Sequence, residues 1–387
     1  MQIAIKHFQS TTLYKDLKIH TTLLSLFFSS AWNMFQTRKP PILQQKNFVP
    51  HDIVLNILTR LPVKSLLRFR CTCKSYYSSI NTPNFISSHL YNTNNNKDHG
   101  YLIHMSWITI LRQICMVIFD GTFDRIFDIG IPFDFPFGRA KIVGSYNGLL
   151  CLADIESTTT SGNVIYLWSP SIRKFKRLPK PCLGQLDSVT LRFAYHSENN
   201  DYKVVRISIS HSMPPSEIEV YALSSDSWRR IEMPLRSNIK FYDNNYFLPI
   251  PLVSGALHWM AGFIEEEEKH CSEMIMCFDV NCEKFRNLEM PDGSMTVSSF
   301  QICLASFKGK LVVITYGESE QYYQYTIWVM REYGVHESSH ILFVLPFGRR
   351  VAICIGFTEN GSLHGEPCFD WWSKHVLLRG WWRAYSK

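Results

Sequence analysis

The sequence predicts a mainly β chain with a small α part: three short helices followed by a β-propeller-like repeat domain. Three observations carry this. Aromatic residues make up 14% of the 387 positions, and with frequent Gly and Pro they favour many short strands over long helices. One apolar stretch, residues 48–90, has helical spacing. Beyond it a strand-and-turn phrase recurs with a period in the low fifties.

Hydrophobic residues at 46% of such a chain can bury one large core or two domains of unequal size. The net charge of +7 comes from 40 basic and 33 acidic residues, a mild excess that marks no nucleic-acid arm and names no ligand class. Eleven cysteines lack the even spacing of a disulfide scaffold. Most sit in apolar runs such as Leu150-Cys151-Leu152 and Ile353-Cys354-Ile355 and read as reduced core residues. The doublets Cys71/Cys73 and Cys277/Cys282 have no partner doublet at zinc-finger spacing, so neither metal nor other cofactor is expected. The sequon Asn360-Gly361-Ser362 is short enough to arise by chance.

Residues 1–47 read as an atypical N-terminal extension. Its stretch from Thr21 to Trp32 is apolar but too short to span a bilayer, so no membrane association is expected. Lys6, Lys15 and Lys18 precede it, a pattern shared by signal or transit peptides and by ill-defined extensions.

The helical stretch comes next. Ile53 to Leu58 contains five large aliphatics in six residues, with Pro50 expected in the first helical turn and Leu61-Pro62 as the stop. Such a helix is apolar nearly all round and has to be covered on more than one side. Val63, Leu66, Leu67 and Phe69, then Cys71, Cys73, Tyr76, Tyr77 and Ile80, continue the pattern to a break at Asn81-Thr82-Pro83, which makes three helices. A unit this small buries too little surface to stand alone. Its excess apolar side chains imply either a partner subunit or a helical hairpin covering the β domain.

The run from Phe48 to Val54 (Phe-Val-Pro-His-Asp-Ile-Val), with Ile57-Leu58-Thr59-Arg60-Leu61-Pro62-Val63-Lys64-Ser65-Leu66-Leu67-Arg68-Phe69-Arg70-Cys71-Thr72-Cys73-Lys74-Ser75, resembles the F-box, particularly its plant form. The resemblance implies docking on a Skp-type adaptor, and through it on a cullin, in an SCF ubiquitin ligase. The contact residues it implies are Pro50, Ile53, Ile57, Leu61, Pro62, Val63, Leu66 and Leu67. Three positions depart from the family pattern: Asn56 where Glu is usual, Thr72 where Val is common, and Tyr76 where Trp usually follows Cys-Lys-Ser. Tyr76 can fill most of a Trp pocket with its hydroxyl turned to water. Because the motif usually lies close to the initiator, Met34 is the expected working start.

Residues 91–99, polar and Asn-rich, read as a linker between the F-box at 48–90 and a β domain at 100–361. In that domain a strand, a polar turn, an aromatic beside basic residues and a Pro recur. Phe175, Trp228 and Phe285 mark successive copies 53 and 57 residues apart, and Ser339 stands 54 further on where a fourth aromatic is expected. A second series, Gly148, Gly255, Gly309 and Gly361, each heading an apolar strand, has spacings of 107, 54 and 52, with Asn200-Asp201 filling the gap. This period is in the kelch-like range of four-stranded blades. A β-sandwich with duplicated hairpins has the same period, and ring closure is left open. The phrases Tyr166 to Lys174, Asp201 to Val205 and Trp328 to Val335 look like the F-box-associated domain of plant F-box proteins. Residues 362–387, with Trp371, Trp372, Trp381 and Trp382, form a divergent tail.

No Gly-x-Ser-x-Gly elbow, phosphate-binding glycine loop or His-Glu-x-x-His is present, so no enzyme activity is expected. His258, ending an apolar strand, reads as structural. Asp120, Asp124, Asp128 and Asp134 read as a solvated strand face or turns. The cluster Arg173, Lys174, Lys176, Arg177 and Lys180 reads as protection of a sheet edge and not as a nucleic-acid surface. Asn238 to Asn245 and Glu265 to His270 read as surface loops of the kind that sets target choice. The resemblance therefore implies a substrate-recognition subunit in the cytoplasm or nucleus, with an unidentified target protein. The alternative is a propeller acting as a hydrolase or carbohydrate-binding module outside any ligase.

Overall fold

The computed structural model describes residues 2–6, 49–95, 101–109, 112–119, 125–135, 140–154, 164–182, 188–209, 217–232, 239–242, 252–264, 271–291, 301–318, 323–347, 352–357 and 363–367. The chain divides into a helical unit, His7–His99, and a β unit formed by Met1–Lys6 with Gly100–Lys387. The tryptophans of the tail, the Asn360 sequon, Asp120, Asp124, the Thr21 to Trp32 stretch and Glu265 to His270 lie outside the described residues.

The helical unit has four described helices where the sequence suggested three: α1 (His51–Leu58), α2 (Val63–Arg70), α3 (Lys74–Ile80) and α4 (Pro83–Asn95). Asn81-Thr82-Pro83 does stop α3, but it also starts α4. Pro83 takes the first helical position, where its missing N–H costs nothing, and the Thr82 hydroxyl accepts from the Phe85 amide at 3.3 Å. The helix then runs to Asn95, through residues read from sequence as linker. Pro50 sits one place before α1, at its N-cap, and Pro62 does the same for α2. Val54, Leu58, Leu66, Ile80 and Phe85 form the core of the unit, and Leu55, Leu61, Phe69 and Tyr76 pack against it.

In the β unit, β2 (Tyr101–Thr109) to β22 (Leu363–Pro367) follow one another as antiparallel meanders. The described strands form five four-stranded sheets and a pair: β1 (Gln2–Lys6), β2, β3 (Arg112–Phe119) and β4 (Arg125–Ile129); β5 (Ala140–Tyr146), β6 (Leu149–Asp154), β7 (Ile165–Ser169) and β8 (Lys174–Arg177); β9 (Ser188–His196), β10 (Asp201–Ile209), β11 (Glu217–Ala222) and β12 (Ser227–Ile231); β13 (Ile239–Tyr242), β14 (Ala256–Ile264), β15 (Cys271–Asp279) and β16 (Phe285–Leu288); β17 (Gln301–Phe307), β18 (Lys310–Glu318), β19 (Tyr323–Met330) and β20 (Ser339–Phe347); then β21 (Ala352–Phe357) with β22. Strand β1 (Gln2–Lys6), from the N-terminal extension, pairs with β2 as the first strand of the first sheet. A chain starting at Met34 would lack it. Strand β13 (Ile239–Tyr242) corrects the reading of Asn238 to Asn245 as a loop: four of those residues pair with β14 (Ala256–Ile264). Strand β22 carries the strand pattern beyond residue 361.

Neighbouring sheets stack face to face, which explains a period carried by whole four-strand units. Val143, Cys151 and Leu167 share a core with Phe193, Val204 and Trp228, joining the second and third sheets. Val205, Ile207 and Val220 pack with Leu257, Trp259 and Phe278, joining the third and fourth. Met260, Ile275 and Cys277 pack with Leu304, Leu311 and Val313, joining the fourth and fifth. A sandwich buries one face of each sheet; here the third sheet supplies both faces, as a propeller blade does.

The two sequence series mark equivalent places in each blade. Gly148, Gly255 and Gly309 have φ of 81°, 75° and 76°, each after a residue also at positive φ (Asn147, Ser254, Lys308). Two successive left-handed residues make the turn that matches strand twist in a two-residue hairpin. We expect Gly309→Ala to destabilise the β unit by about 1–2 kcal/mol, the cost of an L side chain in that conformation; a chemical-denaturation curve superimposing on wild type would contradict this.

Phe175, Trp228 and Phe285 open the fourth strands and face Trp168, Tyr221 and Phe278 across the ladder. At the fourth copy Ser339 faces Met330. The Trp228 indole also donates to the Pro179 carbonyl of the preceding blade at 2.8 Å, so two parts of the recurring phrase fasten adjacent blades. Trp228→Phe keeps the ring and removes this bond, and its expected cost is about 1 kcal/mol of unfolding free energy.

A charged latch repeats at the same joints. The residue two before each aromatic (Arg173, Asp226, Glu283) has positive φ in the turn between third and fourth strands. Lys176, just after Phe175, reaches Asp226 at 2.7 Å, and Arg229, just after Trp228, reaches Glu283, which Lys203 also contacts at 2.8 Å. Hydrogen bonds from Lys176 and Tyr221 hold the Asp226 carboxyl below its ordinary value. A depressed carboxyl stabilises the fold above its unfolded value, so this latch persists until pH falls below the usual carboxylate range.

Candidate functional site

Helix α1 is apolar on two faces. Val54 and Leu58 point into the helical core, while Ile53 is 48% and Ile57 40% exposed. Val49, 46% exposed, precedes them with the same four-residue spacing, and Val63, at the start of α2, is 37% exposed. These four account for four of the ten exposed large hydrophobics among the described residues, within fifteen consecutive positions. Exposed apolar side chains scattered singly need no explanation, but a contiguous stripe does.

The eight residues singled out from sequence fall into three groups. Pro50, Ile53, Ile57 and Val63 are exposed; Leu61, Pro62 and Leu67 are half-buried; Leu66 is 6% exposed and belongs to the core. Helix α4 fixes the turn between α1 and α2: the His89 imidazole shares a 2.9 Å hydrogen bond with the Leu61 carbonyl, and the Asn92 amide donates to the Thr59 hydroxyl at 2.9 Å. Neither residue was picked from sequence, since their helix was not, and the capping Thr82 followed by Pro83 was the available signal. Tyr76 is half-buried between His51, stacked at 6.2 Å, and Phe69, edge-on at 6.4 Å. Burial raises its phenol pKa. Cys71 and Cys73 are exposed and not core residues; the Cys73 sulfur caps α3 by accepting from the Tyr76 amide at 3.5 Å.

In the β unit, His258 is fully buried and its Nε2 shares a 2.9 Å hydrogen bond with the Tyr333 hydroxyl. Its cross-strand neighbour Cys277 accepts from Arg286 Nε at 3.2 Å, and the Arg286 guanidinium lies 5.2 Å from the Tyr333 ring centre. Burial raises the Cys277 thiol, and pushes the Tyr333 phenol up to about 12, so both stay protonated near neutrality. This cluster stands at the joint of the fourth and fifth blades, where Tyr333 occupies the turn that holds the latch acids elsewhere. It is a fastening.

The basic cluster lies where edge protection requires: β8 (Lys174–Arg177) ends its sheet. Strand β20 (Ser339–Phe347) also ends a sheet, yet it is uncharged apart from His340, with Ile341 and Val344 exposed. It is guarded differently, by a register shift beside Leu342 and by Pro346, which has no N–H to offer.

Comparison with known proteins agrees with this division. Residues 49–88 match the F-box domain family, and residues 125–363 match the family described as the F-box associated beta propeller domain. F-box protein CPR1 of Arabidopsis thaliana is 29% identical over 316 residues, covering 75% of this chain and 71% of that protein. The F-box/kelch-repeat protein At3g23880 of the same plant is 26% identical over 317 residues, covering 77% of this chain and 81% of that protein. Among solved structures, the GH74 xyloglucanase from Xanthomonas campestris overlaps 64% of this chain and 36% of its own at a TM-score of 0.36 and 9% identity, too distant to bear on chemistry. With more than half its length matched by the propeller family and an F-box ahead of it, the chain belongs to the F-box proteins that carry an F-box-associated β-propeller domain.

Proposed function

We propose that this chain is the substrate-recognition subunit of an SCF-type ubiquitin ligase, docking on a Skp-type adaptor, and through it a cullin, by its F-box and holding a target protein by its β domain. The observation that carries the reading is the exposed stripe Val49, Ile53, Ile57 and Val63. Burying such a stripe stabilises an interface by about 25 cal/mol per Å² of apolar area. In this reading the chain supplies proximity alone and catalysis belongs to a separate ubiquitin-conjugating enzyme. Its working place is the cytosol or nucleus, and its targets are proteins.

Co-purification tests it. The full chain should bring down a Skp-type adaptor in equal amount, and Ile53→Asp with Ile57→Asp should lose it. Leu61→Asp is a poorer probe, because Leu61 packs against the helical core and would disturb the fold as well. Adaptor recovered at wild-type levels with both isoleucines replaced would refute the assignment.

A further inference from the structure

Residues 49–95 hold five basic residues (Arg60, Lys64, Arg68, Arg70, Lys74) and one acidic residue, Asp52, a net of 5 − 1 = +4 within a chain of net +7. The excess is not spread evenly over the helices. Lys64 and Arg68 are four apart on α2, and Val63 and Leu67, likewise four apart, form the adjoining apolar column. Arg60 follows Ile57 by three residues, which prolongs the line of Ile53 and Ile57 past the end of α1. Arg60, Lys64, Arg68 and Lys74 are all exposed. None of them is in an ion pair among the described residues. Arg70 differs: it lies 5.5 Å from the Tyr77 ring centre and donates to Asn81 Oδ1 at 3.5 Å, so it is engaged within the unit.

In the β unit four basic residues, Lys176, Lys203, Arg206 and Arg229, each meet a carboxylate of the same chain. Exposed cations beside an apolar stripe, in excess over Asp52, the single acid of residues 49–95, and in no ion pair with it, are what an interface rim looks like before its partner arrives. Apolar centres set the lifetime of a complex, and charged rims set its rate of encounter and its choice of partner.

We infer that Arg60, Lys64 and Arg68 form an electrostatic rim around the docking stripe, and that the surface they recognise on the adaptor is an apolar groove edged with carboxylates. The inference rests on the docking proposed above and adds the charge of the partner surface and a division of labour. The isoleucines hold the complex together, and the rim speeds its formation and rejects basic grooves, since like charges brought together repel.

The test is kinetic, on the full chain with a purified Skp-type adaptor immobilised. Reversing two rim charges, Lys64→Glu with Arg68→Glu, should lower the association rate about tenfold at low salt and leave the dissociation rate within about twofold. Raising ionic strength from about 0.05 to 0.5 M should bring the wild-type association rate down toward that of the variant, because the screening length falls below the spacing of the charges. The neutral pair Lys64→Gln with Arg68→Gln should fall between them, and equal helical circular dichroism for all three shows the fold intact. An association rate indifferent to salt and to both variants, in a complex that still depends on Ile53 and Ile57, would overturn the rim and spare the docking. An adaptor that binds none of the proteins would overturn both.

Discussion

Glu219→Ala should destabilise the β unit by roughly 3–5 kcal/mol, because it removes one member of a buried ion pair. Arg206 on β10 (Asp201–Ile209) and Glu219 on β11 (Glu217–Ala222) face each other across the ladder, 2.9 Å apart and both fully buried. Alternation puts them on the same face as Val204 and Tyr221, in the core between the second and third blades. Burial draws the Arg206 guanidinium below its usual value, and the Glu219 charge works the other way. Removing the carboxylate takes away the acidic group held 2.9 Å from the guanidinium in that core, while the Ser208 hydroxyl stays at 2.7 Å. For a domain of this size the midpoint of thermal unfolding should drop by about 10 °C. Replacing both, Arg206→Met with Glu219→Leu, should restore most of the loss, since the charges are taken out together. A single variant as stable as wild type would show that the pair does not help hold β10 to β11.

Ile53→Asp with Ile57→Asp should weaken adaptor binding at least 100-fold, about 2.7 kcal/mol or more, because two carboxylates would be carried into an apolar contact without partners. The helical unit should survive, since both side chains point away from its core. Leu66→Ala supplies the contrast. Leu66 is a core residue, and its truncation should cost about 2–5 kcal/mol of helical stability. Calorimetry of binding beside circular dichroism separates the two: the isoleucine variant loses heat of binding with its helix signal unchanged, whereas the leucine variant loses both. Retained affinity in the isoleucine variant would mean that the stripe is ordinary surface.

At Phe175, Trp228 and Phe285, and at Gly148, Gly255 and Gly309, the two series located strands and turns because both signals are local. A two-residue hairpin demands left-handed backbone, and a fourth strand demands a large side chain facing the third. The inner and outer faces of α1 were not legible in the same way. A helix with aliphatics at 53, 54, 55, 57 and 58 shows no polar side to orient it, and only the packing of α2 to α4 decides that Val54 and Leu58 go inward. Leu66, which the resemblance placed among the adaptor contacts, lies on α2 and packs in the helical core. Strand β13 was missed because its four residues lie among Asn238, Asp243, Asn244 and Asn245, whose polarity outweighs so short a run. The latch acids could have been found: Asp226 and Glu283 stand at the same distance before their aromatics, a signal hidden because Arg173 breaks the charge pattern.

The positions of Asp226 and Glu283 have a consequence for how this scaffold can diversify. In an antiparallel meander, the turns joining first to second and third to fourth strands emerge at one end of every blade, and the remaining connections emerge at the other. The acids of the clasps described above, Asp226 and Glu283, lie at the first end. Lengthening, shortening or rewriting a connection at the second end therefore leaves the Asp226 and Glu283 clasps in place.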